Sequence, residues 1–212
     1  IKIITLKNEI KFLNNIRATI ELTILLILLS LRNYYLIGKS SKTLTKEIHK
    51  KKIGIIGYGR IGKAVKKYLK PFGVKLFIFD KKKIVPKINF QKLDYIFKNS
   101  DIITFHIPLD KDTFGLFDNR KLKKIKENTI IVNTSRGEIF NEKHLISVMY
   151  KKNIKYYTDV LANESDLNIT KFDKFKKTNQ FFYSFHKGGM TEESVLKTDK
   201  FIIKKFLKIK EK

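Results

Sequence analysis

From Lys52 onward, short apolar runs alternate with longer stretches in which apolar residues recur every three or four positions. Lys52–Gly57, Val74–Phe79, Ile102–His106, Thr129–Asn133, Lys155–Val160 and Gln180–Phe185 have the length and composition of strands. Arg60–Leu69, Phe90–Asn99, Arg120–Lys126 and Asn141–Lys151 lie between them with helical period. That alternation predicts right-handed βαβ units, hence an α/β fold: a doubly wound parallel sheet with helices on both faces. Glu192 to Lys210 predicts a closing amphipathic helix, with Val195, Phe201, Ile202, Phe206 and Ile209 on its apolar side. Ahead of the alternation, Ile20 to Tyr35 reads as a helix that is apolar nearly all round, with Thr19 as N-cap and Glu21 in its first turn. Such a helix needs cover on more than one side, and a second copy of the chain is the expected cover, giving a homodimer. Gly38 to Lys51 is polar and reads as a linker. The expected division is residues 1–50 as an N-terminal helix and linker, 51–190 as the main domain, and 191–212 as a C-terminal helix.

Composition narrows the function classes. With 212 residues, 42% hydrophobic and 17 Phe, the chain has enough apolar surface for a closed core. The longest uncharged apolar run, Leu22 to Leu31, is well short of the ~20 residues that cross a bilayer, so no membrane partner is expected. There is no cysteine, which excludes disulfides, thiolate metal sites and a cysteine nucleophile and fits a reducing, cytoplasmic location. The net charge of +26 suggests a nucleic-acid partner at first sight. However, 41 Lys against 5 Arg are spread along the whole chain, and 31 Ile stand against 3 Ala. That is the mark of A/T-rich coding, with lysine at solvated positions, and it predicts only non-specific polyanion binding at low salt.

The sharpest local signal is Gly57-Tyr58-Gly59-Arg60-Ile61-Gly62, a G-x-G-x-x-G placed directly after one predicted strand and opening a helix. The first glycine allows the tight turn, the second lets backbone approach a pyrophosphate, and the third lets helix pack on strand. Free N–H groups and the dipole at the helix N-terminus favour the anion. About 20 residues on, Asp80 ends the next strand, where its carboxylate can accept the ribose hydroxyls of adenosine. Lys81, Lys82 and Lys83 follow and would suit a 2′-phosphate, but Asp80 repels one, so NAD is expected over NADP.

In combination with five further motifs, the chain from about Ala18 to about Glu193 resembles the NAD-dependent D-isomer specific 2-hydroxyacid dehydrogenases. Ala18-Thr19-Ile20-Glu21-Leu22-Thr23 is similar to the helix that opens the family's nucleotide domain. Ser100-Asp101 and then His106-Ile107-Pro108-Leu109 resemble the strand ending in H-x-P-L beside the cofactor. Asn133-Thr134-Ser135-Arg136-Gly137 resembles the segment of the catalytic arginine. Asp159-Val160 followed by Glu164 resembles the segment of the catalytic glutamate. His186-Lys187-Gly188-Gly189-Met190-Thr191 resembles the segment of the catalytic histidine.

The resemblance implies Arg136, Glu164 and His186 as catalytic residues. The cofactor-binding set it implies adds His106, Ile107, Pro108, Thr134, Ser135, Asp159, Gly188 and Gly189 to the glycine loop and Asp80, with Arg136 and His186 shared and Asp159 facing the nicotinamide amide. It implies no metal. The chemistry agrees: oxidising a 2-hydroxy acid removes a hydride from C2 and a proton from the hydroxyl. His186 would be the base. Glu164 would fix its tautomer and favour its charged form, and Arg136 would grip a carboxylate or polarise a ketone. His49 and His144 are expected on the surface. The sequence departs from the family at Phe185 and Ser165, where prolines are usual, and at the front, where the family's N-terminal substrate-domain residues are not found. The chain is therefore expected to be a nucleotide-binding domain with half a substrate cleft, with a non-enzymatic dinucleotide-binding module as the alternative.

Overall fold

The computed structural model describes residues 4–6, 9–33, 42–82, 88–164, 170–176 and 178–210. Tyr34, Tyr35, the start of the predicted linker, Lys83 and Ser165 lie outside them, as does the side chain of Ile209. Six strands appear in the predicted order: β1 (Lys52–Ile56), β2 (Lys75–Phe79), β3 (Ile102–Phe105), β4 (Ile130–Asn133), β5 (Lys155–Thr158) and β6 (Phe181–Tyr183). All pair in parallel in the order β2-β1-β3-β4-β5-β6. The chain leaves β1 toward β2 and then returns to the other side of β1 as β3. Their carboxyl ends therefore diverge at a topological switch point, where open α/β sheets bind ligands.

Both faces of the sheet are covered, as buried parallel strands require. One face carries an aromatic-rich core of Phe97, Phe105, Phe117, Phe140, Tyr156, Phe172 and Phe181. Over it lie α4 (Leu93–Asn99), α5 (Asn119–Leu122), α6 (Glu142–Lys152) and α7 (Asp173–Lys176). The other face joins Ile53, Ile55, Ile102, Val132 and Tyr157 to Val65 and Leu69 of α3 (Arg60–Leu69) and to Ile20, Leu26 and Ile27 of α2 (Ala18–Arg32). Helix α2 is thus one of the sheet's own layers. The closing helix α8 (Glu192–Lys210) leans on α1 (Ile10–Leu13), with Phe201 stacked on Phe12 at 4.1 Å and Lys205 paired with Glu9.

Several local expectations shift. Helix α2 begins at Ala18 behind Arg17, with no side-chain cap, and ends at Arg32 before Asn33 in the left-handed region. Thr19 does not cap it, because its hydroxyl is used elsewhere. The stretch Ile10–Arg32 is long and apolar enough to cross a membrane by length and hydropathy alone. It is nevertheless broken between Leu13 and Ala18, and Thr23, Leu26 and Ile27 are fully buried against the sheet, so one face of α2 packs into the core. Arg120–Lys126 shortens to α5 and turns, with Asp118 accepting from the Lys121 N–H as N-cap. His144 is half-buried, not on the surface: its Nδ1 accepts the Asn119 N–H at 3.1 Å at the start of α5. His49 is exposed. The short helix α7 lacked a periodic signal at its length.

Candidate active site

The glycine loop follows β1 directly. Gly57 sits at φ +95°, and a Cβ there would lie 2.6 Å from the His106 carbonyl oxygen. At Gly62 a Cβ would stand 2.0 Å from the Gly57 carbonyl oxygen, so helix and loop meet at a distance only glycine permits. Gly59 is different: nothing lies within 4 Å of a Cβ built there, and no side chain caps α3 behind it. The second glycine thus faces open space in front of uncapped helical N–H groups, a cradle of the kind a pyrophosphate fills. Asp80 is pre-oriented, its Oδ2 accepting the Tyr58 N–H at 2.7 Å and its Oδ1 the Lys82 N–H at 2.8 Å. Each oxygen retains a lone pair for a ribose hydroxyl. These residues fit the adenosine diphosphate half of NAD.

Two loop residues behave differently from expectation. Ile61, partly buried, packs its side chain against the sheet core. Arg60 turns toward the N-terminal segment, its Nη1 donating to the Leu13 carbonyl at 2.9 Å and the Ile16 carbonyl at 3.2 Å. Burial lowers its pKa. Across the switch point, the His106 N–H donates to Ile56 O at 2.7 Å, and its ring Nε2 lies 3.0 Å from Thr104 Oγ1. Desolvation pulls that imidazole down to about 3, keeping it neutral beside the loop. Ile107 and Pro108 continue outward and grow more exposed.

The predicted catalytic residues follow β4, β5 and β6, three adjacent strands. After β4, Asn133 builds the turn: its Oδ1 accepts the Ser135 N–H and hydroxyl, and its Nδ2 donates to the Arg136 carbonyl at 2.9 Å. The Ser135 hydroxyl, expected at the cofactor, is therefore committed to Asn133, and the Thr134 hydroxyl to Thr23 at 2.8 Å. Arg136 is exposed, with Nη1 on the Ser135 carbonyl. After β5, the loop carrying Glu164 is fixed by Glu142, which accepts the Ala162 N–H at 2.8 Å. Burial pushes the Glu142 carboxyl up. Glu164 accepts the Leu161 N–H through Oε1, and its Oε2 stands 2.9 Å from His186 Nδ1. A carboxylate only accepts, so the shared proton rides on Nδ1 and leaves Nε2 free. The Tyr183 phenol is pushed up to about 12 by burial and by Glu164 and Asp159.

Asp159, expected beside the nicotinamide, is instead turned inward and 2% exposed. Its Oδ1 accepts the Ser184 hydroxyl at 2.6 Å and the Lys187 N–H at 2.7 Å, its Oδ2 the Gly188 N–H at 2.7 Å, and its carbonyl the His186 N–H at 2.8 Å. It is the peg on which the histidine loop hangs. Phe185 and His186 both take positive φ, 55° and 54°, which a proline could not do. The departure from the family at Phe185 therefore matches the backbone here. Gly188 is buried and Gly189 faces open space. Ser184 supports the site but carries no signal in the sequence, because its partner Asp159 is distant in the chain. Among the described residues no cluster of potential metal ligands occurs.

Comparison with known proteins places this geometry. The model of the D-isomer specific 2-hydroxyacid dehydrogenase NAD-binding domain matches residues 30–188. A glyoxylate reductase of Thermofilum pendens is 34% identical over 109 residues, 49% of this chain and 32% of that protein. A D-specific alpha-keto acid dehydrogenase of Enterococcus faecium is 27% identical over 170 residues, 76% of this chain and 52% of its own. The chain thus spans from about a third to about half of the curated relatives it matches. NAD+-bound 3-phosphoglycerate dehydrogenase of Entamoeba histolytica superposes with a TM-score of 0.72 at 29% identity, covering 85% of this chain and 57% of that one. The NAD-complexed D-isomer specific 2-hydroxyacid dehydrogenase of Lactobacillus delbrueckii shares the fold, with a TM-score of 0.81 at 23% identity, over 93% and 68% of the two chains. With a family model matching three-quarters of its length, the chain belongs to the D-isomer specific 2-hydroxyacid dehydrogenases, as their NAD-binding domain.

Proposed function

We propose that this chain supplies the nucleotide-binding and acid–base half of an NAD-dependent oxidoreductase acting on small D-2-hydroxy acids and the matching 2-oxo acids. The observation that carries the reading is the 2.9 Å contact between Glu164 Oε2 and His186 Nδ1 at the carboxyl end of the sheet. Bound NAD supplies the nicotinamide ring that accepts or returns the hydride. His186, with its proton on Nδ1, presents a free Nε2 lone pair that takes the hydroxyl proton of a 2-hydroxy acid and returns it to the carbonyl oxygen in the reverse direction. Glu164 stabilises the imidazolium that forms. Arg136, exposed after β4, binds the carboxylate and polarises the C2 oxygen. The named activities of the relatives, among them glyoxylate reductase, D-specific alpha-keto acid dehydrogenase, glycerate dehydrogenase and erythronate-4-phosphate dehydrogenase, support the 2-hydroxy acid class as a whole.

The remaining partners follow from composition and surface. Leu25 on α2 is 53% exposed in an otherwise packed apolar helix, and a second copy of the chain is its proposed cover. The absence of cysteine supports a cytoplasmic location, the seat of α2 argues against a membrane, and the dispersed lysines against a specific nucleic acid. The test is NADH-dependent reduction of glyoxylate, hydroxypyruvate and pyruvate, using this chain alone and joined to the further sequence its relatives contain. Formation of the D-2-hydroxy acid, lost in His186→Ala, supports the reading. NAD binding without turnover in either form would replace it with a non-enzymatic dinucleotide module.

A further inference from the structure

Two threonines of α2 reach the two loops that carry Arg136 and His186. Thr19 Oγ1 donates to the Gly188 carbonyl at 2.9 Å. One turn on, Thr23 Oγ1 donates to the Thr19 carbonyl at 2.7 Å and meets Thr134 Oγ1 at 2.8 Å. A hydroxyl has one proton, and that of Thr23 is used on the Thr19 carbonyl. Thr134 must therefore be the donor to Thr23, and its own hydroxyl is tied down. Thr23 is fully buried and Thr134 8% exposed, so the bond between them is shielded from water, while the Thr19 bond to Gly188 is part-buried. Gly188 is gripped from both sides, its N–H on Asp159 Oδ2 and its carbonyl on Thr19. A Cβ there would lie 2.6 Å from Asp159 Oδ2 and 3.7 Å from Leu22 Cδ2, so the loop is wedged between α2 and Asp159.

We propose that Thr19 and Thr23 are positioning residues, through which α2 sets the register between the histidine loop and the arginine loop. The two side chains are four residues apart on a rigid helix, which fixes their anchor points about 6 Å apart along its axis. The loops belong to different strands, and Asp159 ties them at the sheet end, its N–H on the Asn133 carbonyl at 2.9 Å and its carboxylate under Lys187 and Gly188. Helix α2, which packs across β4 and β5, adds a second tie through the Thr19 and Thr23 hydroxyls. The inference rests on the proposed roles of Arg136 and His186, but its test does not need turnover.

The test is nitrogen NMR of the imidazole and guanidinium groups in the full chain, which has only 4 His and 5 Arg. His186→Asn and Arg136→Lys assign the two signals. Thr19→Val should change the His186 pattern from a single Nδ1–H tautomer to a mixture, with Arg136 little moved. Thr23→Val should move Arg136. Serine at either position should restore the original signals. Thr134→Val breaks the second bond from the loop side with α2 intact, so it must reproduce Thr23→Val even if the helix variant fails to fold; likewise Thr19→Ser must keep the original tautomer. Unmoved His186 and Arg136 signals in folded Thr19→Val and Thr134→Val proteins would overturn the inference. If the signals move as expected but no 2-oxo acid is reduced, the proposed activity fails while the register stands.

Discussion

Glu164 and His186, 22 residues apart in sequence, meet at 2.9 Å because β5 and β6 are neighbours and both loops leave the same end of the sheet. If this pair carries proton transfer, His186→Ala should lower NADH-dependent reduction of a 2-oxo acid by roughly 10²–10⁴-fold. Glu164→Gln should cost about 10–100-fold, the worth of a hydrogen bond to a charged group, with NAD affinity falling by less than the rate in both. Calorimetric NAD titration beside steady-state rates separates the two effects; a fall in affinity as large as the fall in rate would contradict the assignment.

Two backbone N–H groups fix the Asp80 carboxylate at the end of β2, the place expected for the ribose hydroxyls. NAD should bind more tightly than NADP, and Asp80→Ala should narrow the gap by roughly 10–100-fold. Equal affinities in the unmodified protein, measured by fluorescence, would count against this role.

Lys81 follows Asp80 but is engaged, its Nζ 2.8 Å from Asp112 Oδ2, and the contact raises the lysine pKa and lowers that of the aspartate. Asp112→Asn releases the lysine beside the site of a 2′-phosphate. NADP affinity should then rise by about two- to fivefold at low salt, in keeping with an exposed pair, and the gain should vanish in the Lys81→Ala, Asp112→Asn double variant.

The glycine loop allows a clean separation of binding from folding. Gly59→Ala meets no neighbour, so thermal stability should hold while NAD affinity falls at least about tenfold, as a methyl intrudes on the phosphate cradle. Gly62→Ala drives a Cβ into the Gly57 carbonyl and should lose about 1–3 kcal/mol of stability. The same pair of measurements, melting and calorimetry, reads both.

His106 predicts an acid limb of stability. Its imidazole is held down to about 3 by desolvation, against about 6.5 in the unfolded chain. Between those values the unfolded state binds more protons, so stability falls as pH drops from about 6.5 toward about 3 and is fully present above that window. One proton gives a slope of at most about 1.4 kcal/mol per pH unit, and less here because the residue is only half-buried. Urea unfolding across that window should show a flatter profile in His106→Gln.

What the sequence disclosed was what lies close together along the chain. Strand, glycine loop, helix and Asp80 occupy one βαβ unit, so their order alone exposes them. The supporting bonds do not. Thr19 reads locally as a helix cap, yet its hydroxyl serves Gly188, 169 residues away. Asp159 reads as a polar residue at a strand end open to ligand, yet burial and three donors to its carboxylate turn it inward. Arg60 reads as part of the phosphate loop, yet two carbonyls of the N-terminal segment take its guanidinium. In each case a distant partner competes for the group, and no local pattern encodes that competition.

The left-handed positions divide this molecule into places that can be re-engineered and places that cannot. Among the described residues, Asn33, Lys50, Asn128, Asn153, Asn163, Asn179, Phe185 and His186 have positive φ, against Gly57, Gly73 and Gly115. Asparagine tolerates that conformation; lysine and phenylalanine do so at a cost of roughly 1–2 kcal/mol. Lys50 is exposed and held there by its N–H on the Gly73 carbonyl, a bond glycine would keep, so Lys50→Gly should yield stability without touching chemistry. Phe185 and His186 hold the same conformation for a different end, since relaxing them would swing the imidazole off Glu164. A thermostable variant is therefore to be sought at Lys50 and the helix-closing asparagines, with the two residues before Lys187 left strained.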